Sequence, residues 1–213
     1  MKPFYEHAGI TIYHGDCREI LPGLPKCDLL LTDPPYGLGR HEMADSRNNG
    51  KGRRGYEAVS EWDKLPPDSS VFAALFQQTS EQVIWGANYF TFALAPSMGW
   101  LVWDKGQRIA QSDGELAYTS RHNALRIYVA GRHLLDGDGA CHPTQKPVAL
   151  MKWCISLFPE VQTVLDPFCG SGTTLVAAKD MRLSAIGIER EEKYCEIAAK
   201  RLSQEVFNFE VSA

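Results

Sequence analysis

The chain predicts a single α/β domain built on a mostly parallel sheet, spanning residues 1–213. Two observations carry that expectation. Short apolar runs alternate with stretches of helical periodicity along most of the length, as strands and helices do in such a sheet. Across 161–189 a strand, a glycine turn, a helix and a second strand ending in an acid follow one another. That succession is the nucleoside-binding half of a doubly wound fold.

Taken in order, Gly9-Ile10-Thr11-Ile12-Tyr13 reads as a strand closed by His14-Gly15-Asp16-Cys17, and 18–25 as a short helix or turn ending at Pro22 and Pro25. Leu29-Leu30-Leu31 follows, an apolar run short enough to be a strand buried on both faces. Asp33-Pro34-Pro35-Tyr36 ends it abruptly, because each proline pushes the residue before it towards an extended backbone. Neither proline has an N–H, so this terminus offers a carboxylate, a proline carbonyl and an aromatic ring. Two acceptors and a stacking face suit a planar amino group with two N–H bonds.

Residues 38–64 lack sustained periodicity and read as a long basic loop. Between 40 and 54 it carries Arg40, Arg47, Lys51, Arg53 and Arg54 against Glu42 and Asp45, a surplus of three positive charges. Such a loop beside a strand end can contact a polyanion. Residues 68–80 predict a helix with Val71, Ala74, Leu75 and Gln78 along one side. Val83-Ile84-Trp85-Gly86, Trp100-Leu101-Val102-Trp103 and Leu125 to Val129 predict further strands. Asp136-Gly137-Asp138-Gly139 lacks the spacing of a calcium loop and reads as a plain turn.

After His142-Pro143-Thr144-Gln145-Lys146-Pro147 a helix is expected, with Thr144 as its cap and Pro147 in its first turn. Val148, Met151, Ile155 and Phe158 share one face. Val161 to Leu165 is the next strand, running into Asp166-Pro167-Phe168-Cys169-Gly170-Ser171-Gly172. A helix from Thr173 to Met181, a strand from Ala185 to Glu189 and an amphipathic helix from Glu191 to Leu202 complete the chain.

The glycine turn is not a dinucleotide fingerprint. Gly170 and Gly172 let a ligand approach the backbone, and Glu189 can accept from two ribose hydroxyls, yet Leu175 stands where a third glycine would be. No phosphate-gripping lysine is in place, and Asp166 would repel a pyrophosphate. A carboxylate there suits a ligand with positive character, and S-adenosylmethionine has a ribose, a sulfonium and an α-amino group but no phosphate.

Composition sets the outer bounds. A 44% hydrophobic and 23% charged chain is ordinary for a soluble globular domain, and no apolar run approaches the ~18–20 residues of a membrane span. Its start has no signal-peptide core. Cys17, Cys27, Cys141, Cys154, Cys169 and Cys195 form no C-x-x-C pair, so neither a disulfide framework nor a zinc site is expected, and a cytoplasmic setting is. The histidines at 41, 122, 133 and 142 have no metal spacing, so no metal is expected. The net charge of −4 counts weakly against nucleic acid, although one basic patch can outweigh it.

Together these motifs resemble the amino-methyltransferases of DNA, in the β-class order that places Asp-Pro-Pro-Tyr before Asp-Pro-Phe-x-Gly-x-Gly. The likeness covers Gly15-Asp16-Cys17, Asp33 to Gly37, His142 to Pro147, Asp166 to Thr174 and Ile188-Glu189. It implies a Rossmann-like, circularly permuted methyltransferase fold in which the strand ending at Asp166 inserts beside the strand ending at Asp33. It implies S-adenosylmethionine as cofactor, lying across Asp166, Phe168, Gly170, Gly172 and Thr173, with its ribose on Glu189, its adenine near Asp16 and its methionine part near Thr144 and Lys146. The family usually carries a sizeable target-recognition segment, whereas only 38–64 and about 104–140 are available here. That points to low sequence specificity, a homodimer or help from a partner.

The resemblance makes double-stranded DNA the substrate, in a restriction–modification setting. The amino nitrogen of adenine is a poor nucleophile because its lone pair is delocalised into the ring. Asp33 and the Pro34 carbonyl would each accept one N–H and aim the lone pair at the methyl group, while Tyr36 stacks on a base flipped out of the duplex. Asp rather than Ser before Pro-Pro-Tyr tilts the resemblance to N6 of adenine over N4 of cytosine. An RNA or protein-glutamine methyltransferase fits the motif order less well, and an intact Asp33 and Tyr36 count against a binding protein without catalysis.

Overall fold

The computed structural model describes residues 2–37, 66–106, 112–131 and 145–204. Its strands are β1 (Tyr5–His7), β2 (Ile10–His14), β3 (Cys27–Thr32), β4 (Thr79–Trp85), β5 (Trp100–Asp104), β6 (Gly114–Thr119), β7 (Arg126–Val129), β8 (Thr163–Asp166) and β9 (Ser184–Glu189). The helices are α1 (Cys17–Ile20), α2 (Ser69–Gln78), α3 (Val148–Ser156), α4 (Thr173–Asp180) and α5 (Glu192–Leu202). One sheet takes all the described strands in the order β1-β2-β9-β8-β3-β4-β6-β5-β7. From β2 to β4 neighbours are parallel; β6 then runs antiparallel to both β4 and β5.

The leucine strand lies in the middle, and its alternation explains why every residue of the run is apolar. Leu29 and Leu31 face the core beneath α3, α4 and α5, whereas Leu30 faces the core beneath α1 and α2. Side chains pin β3 to β8 at both ends. At the start, the Asp28 carboxylate accepts from the N–H groups of Gln162 and Thr163, both at 2.9 Å. At the finish, the Thr32 hydroxyl donates to Asp166 at 2.7 Å. The two strands that carry the candidate residues are therefore held in one register.

Several sequence expectations shift. The strands β1 and β6 were not foreseen; β6 needs no crossover helix, so no periodic segment announces it. The expected strand at 125–129 forms as β7, and 114–119 join it in the sheet, both within the 104–140 assigned to recognition. In α2, Phe72 joins Val71 and Leu75 in the core while Ala74 is exposed, and the chain enters β4 directly at Thr79. Pro147 is the residue before α3 rather than within its first turn, and makes no side-chain cap. Thr144, its expected cap, lies outside the described residues, as do 38–64, His41, His133, Cys141, His142 and the turn at 136–139. Among the described residues no helix is long and apolar enough to cross a membrane, and no group of His, Cys, Asp or Glu is arranged to hold a metal.

Candidate active site

Parallel strands end on the same side of a sheet, so the residues at or just past the ends of β2, β9, β8, β3 and β4 share one edge. They are Asp16, Glu189, Asp166, Asp33 and Gly86. Since β6 runs the other way, its first residues reach this edge too, and Glu115 arrives there beside Lys105 from the end of β5. A crevice outside carboxyl strand ends is where open α/β sheets bind ligands.

Asp33 is the hub of the middle of this edge. The Tyr36 hydroxyl donates to its Oδ1 at 2.6 Å, and the Lys146 ammonium donates to its Oδ2. Lys146 also lies 3.0 Å from Glu115 Oε2, and Lys105 lies 2.6 Å from Glu115 Oε1. Two carboxylates and two ammoniums thus alternate in a row. Both ammoniums are buried, Lys146 at 4% and Lys105 at 7%, while Asp33 keeps 20% exposure and Glu115 26%, so the carboxylates are the members still open to an incoming group.

Burial raises the Asp33 carboxyl above its ordinary range, against the pull of Lys146. Burial would also raise Glu115, but Lys146 and Lys105 outweigh it and hold that carboxyl down to about 2. For Lys146 burial works downward, yet Asp33, Tyr36 and Glu115 together keep the ammonium well above its ordinary value. Glu115 and Lys146 therefore both carry charge at neutral pH, and the ammonium seated on Asp33 favours its carboxylate form.

The ring of Tyr36 is placed as deliberately as its hydroxyl. It stacks on Tyr89 with centroids 4.8 Å apart and planes 21° from parallel, and meets the edge of Phe90 at 6.0 Å. Gly86 makes room for it. A Cβ there would stand 2.1 Å from the Tyr36 ring, and φ is +68°, which glycine alone adopts without strain.

One strand away lies the turn after β8. Asp166 accepts from the Thr32 hydroxyl and from the Phe168 N–H at 3.2 Å, and burial pushes its carboxyl up to about 6. Glu189 accepts from the Gly170 N–H at 2.8 Å and from the Glu191 N–H at 2.8 Å, and burial raises it as well. A Cβ on Gly170 would meet nothing within 4 Å, so the turn faces open space. Gly172, at φ +80°, precedes α4 and comes so close to Ala198 that a Cβ would lie 2.9 Å away. Leu175 fits in place of a third glycine because the strand yields instead: a Cβ on Gly187 would be 2.6 Å from Leu175 Cδ1. Asp16 caps α1 and pairs with Arg18 at 2.5 Å, so its carboxylate is already engaged. That guanidinium is the first cause of the lowered Asp16 carboxyl.

The structure therefore brings Asp16, Asp33 to Tyr36, Lys146, Asp166 to Thr173 and Glu189 to one edge. Thr144 and the DNA-contact candidates Arg40, Arg47, Lys51, Arg53 and Arg54 lie outside the described residues. Two contacts go beyond the expectation. Lys146, assigned by resemblance to the methionine part of a cofactor, donates to Asp33. The Tyr36 hydroxyl, given no task from the sequence, donates to Asp33 as well. Lys105, Glu115, Gly86, Tyr89 and Thr32 were missed. The only signal for Glu115 was the β-forming run Leu116-Ala117-Tyr118-Thr119 beside it, too short to reveal a strand.

A family model for DNA methylases, N6_N4_Mtase, matches residues 84–200. The type II methyltransferase M.HinfI of Haemophilus influenzae is 27% identical over 248 aligned positions, covering 91% of this chain and 68% of that protein. The crystal structure of an M1.HpyAVI–SAM complex superposes with a TM-score of 0.59 at 24% identity, covering 90% of this chain and 99% of the other. PvuII DNA methyltransferase, cytosine-N4-specific, superposes with a TM-score of 0.63 at 15% identity over 96% of this chain and 90% of its own, a likeness of fold.

Proposed function

We propose, from the premise that the chain belongs to the N6/N4 DNA methylase family, that it transfers a methyl group from S-adenosylmethionine to the N6 amino group of adenine in double-stranded DNA. The observation that carries this reading is the adjacency of the two motifs. Thr32, bonded through its hydroxyl to Asp166, is the residue immediately before Asp33. A cofactor on the β8 turn and a base at the β3 terminus would then be neighbours.

The turn suits that cofactor. Gly170 opens onto free space, Asp166 brings a buried carboxylate, and each Glu189 oxygen keeps capacity for a further donor. When bound, the cofactor supplies a methyl on a sulfonium: the N–C bond forms as the C–S bond breaks with its electron pair left on sulfur, and the amino nitrogen gains the positive charge. The protein's own work is positional and electrostatic. Asp33 and the Pro34 carbonyl accept the two N–H bonds, which holds the nitrogen lone pair out of the ring plane. The Asp33 charge stabilises the cation that forms on nitrogen. Its surplus proton then leaves to Asp33 or to water. Tyr36 offers an aromatic face to a base that has left the stack. Asp rather than Ser before Pro-Pro-Tyr supports adenine over cytosine as the base.

A transfer assay with labelled methyl donor and duplex DNA tests this. The wild-type chain should label DNA, and Asp33→Ala should abolish labelling while cofactor binding by calorimetry stays nearly intact. Labelling by Asp33→Ala near the wild-type rate would remove Asp33 from the chemistry.

A further inference from the structure

Asp33 is already engaged before any base arrives: its Oδ1 accepts from Tyr36 and its Oδ2 from Lys146. A carboxylate whose charge is matched by an ammonium is a poorer acceptor for an amino N–H. Worse, methyl transfer puts a positive charge on the target nitrogen, and an ammonium still seated on Asp33 would repel it. Productive chemistry requires Lys146 to be drawn aside.

Glu115 is placed to receive it. Its Oε2 is 3.0 Å from the Lys146 ammonium, so the ammonium can shift its share from one carboxylate to the other by side-chain torsion alone. Glu115 is itself fixed by Lys105, 2.6 Å from its other oxygen, and Lys105 is only 7% exposed and lies over the Trp103 ring at 5.2 Å. The carboxylate is thus anchored through its other oxygen. A row of four charges, two buried and two half-buried, is also weak evidence for a purely stabilising role, because taking ions out of water costs about what their attraction returns.

We infer that Glu115 is a positioning residue for methyl transfer: held by Lys105, it takes Lys146 from Asp33 when the target amino group arrives and leaves Asp33 to the substrate. This rests on the reading of Asp33 as the amino-group acceptor. Glu115 touches neither substrate nor cofactor in this scheme. What matters is its charge, not its shape.

Glu115→Gln and Glu115→Asp separate the two. Glutamine keeps the length and loses the charge; aspartate keeps the charge and shortens the arm. The inference expects Glu115→Gln to lower kcat on duplex DNA by about tenfold or more, the scale of losing a charged partner near the reacting atoms, with cofactor affinity within about twofold of wild type. Glu115→Asp should retain more of the rate than Glu115→Gln. A glutamine variant with wild-type kcat, or one faster than the aspartate variant, overturns the inference and leaves the proposed function standing. Loss of cofactor affinity in step with rate would make Glu115 a structural residue and overturn it too. A wild-type chain that binds the cofactor and methylates no DNA would bring down both readings.

Discussion

Tyr36 does two things at the scale of one residue. Its ring lies between Tyr89 and the space over Gly86, and its hydroxyl is on Asp33. Removing the ring by Tyr36→Ala should cost roughly ten- to a hundredfold in turnover efficiency, the value of one base–aromatic stack. The sequence alone assigns the hydroxyl no task, and on that reading Tyr36→Phe is nearly silent. With a carboxylate as acceptor, the loss should instead be about tenfold. Steady-state rates of the two variants check both figures. Gly86→Ala should reproduce the Ala defect, because the new methyl would displace the ring, and calorimetry should find cofactor binding intact.

Asp166 carries a pH dependence. Its carboxyl sits near 6 in the folded chain against an ordinary 3.8, chiefly through burial. If its charge binds the sulfonium or ammonium of the cofactor, affinity should weaken by about tenfold per unit as pH falls below 6, and level off above it. Asp166→Asn should flatten that profile, measurable by calorimetry between pH 5 and 8. For the free chain the sign is opposite. The native carboxyl holds its proton more tightly than the unfolded one, so its contribution to stability is full below 3.8 and is lost as pH rises through 6.

Among elements, legibility followed local pattern rather than length: β3 and β6 are both six residues long, and only β3 was foreseen. Leu29-Leu30-Leu31 announced β3 because each residue had a core to face, and 161–202 read correctly because strand, glycine turn and helix each leave a separate mark. β6 left none, and with it went Glu115, a charge whose meaning depends on a strand inserted antiparallel beside β4. The missing third glycine was visible but its resolution was not: Gly187, on the neighbouring strand, gives Leu175 its space. Gly187→Ala should therefore destabilise the fold by about 1–3 kcal/mol, as overpacking does, and Leu175→Ala in the same chain should return part of it. Chemical denaturation of the single and double variants measures this.

For the whole molecule, strand order was the least accessible property, since periodicity names strands but not their neighbours. That β8 lies beside β3 came from the family resemblance, and the register of Leu29 with Val164 and Leu30 with Leu165 now shows it; the pairing of β8 with β9 on its other side did not. The charge balance is a second whole-molecule feature. A chain of net −4 needs a local basic surface to hold DNA, and the sequence concentrates its surplus between Arg40 and Arg54. Neutralising Arg47, Arg53 and Arg54 should weaken DNA binding and make the slope of log affinity against log salt shallower, by about one for each phosphate that no longer has a cation beside it. An unchanged slope in fluorescence titrations would place the DNA-binding surface elsewhere.

Nucleoside mass spectrometry reads the identity of the modified base directly. Duplex DNA incubated with the wild-type protein and S-adenosylmethionine should yield N6-methyladenine on digestion, and DNA incubated with Asp33→Ala should yield none. N4-methylcytosine alone would keep the site and change the substrate. Neither base, with label in RNA or protein instead, would contradict DNA as the substrate.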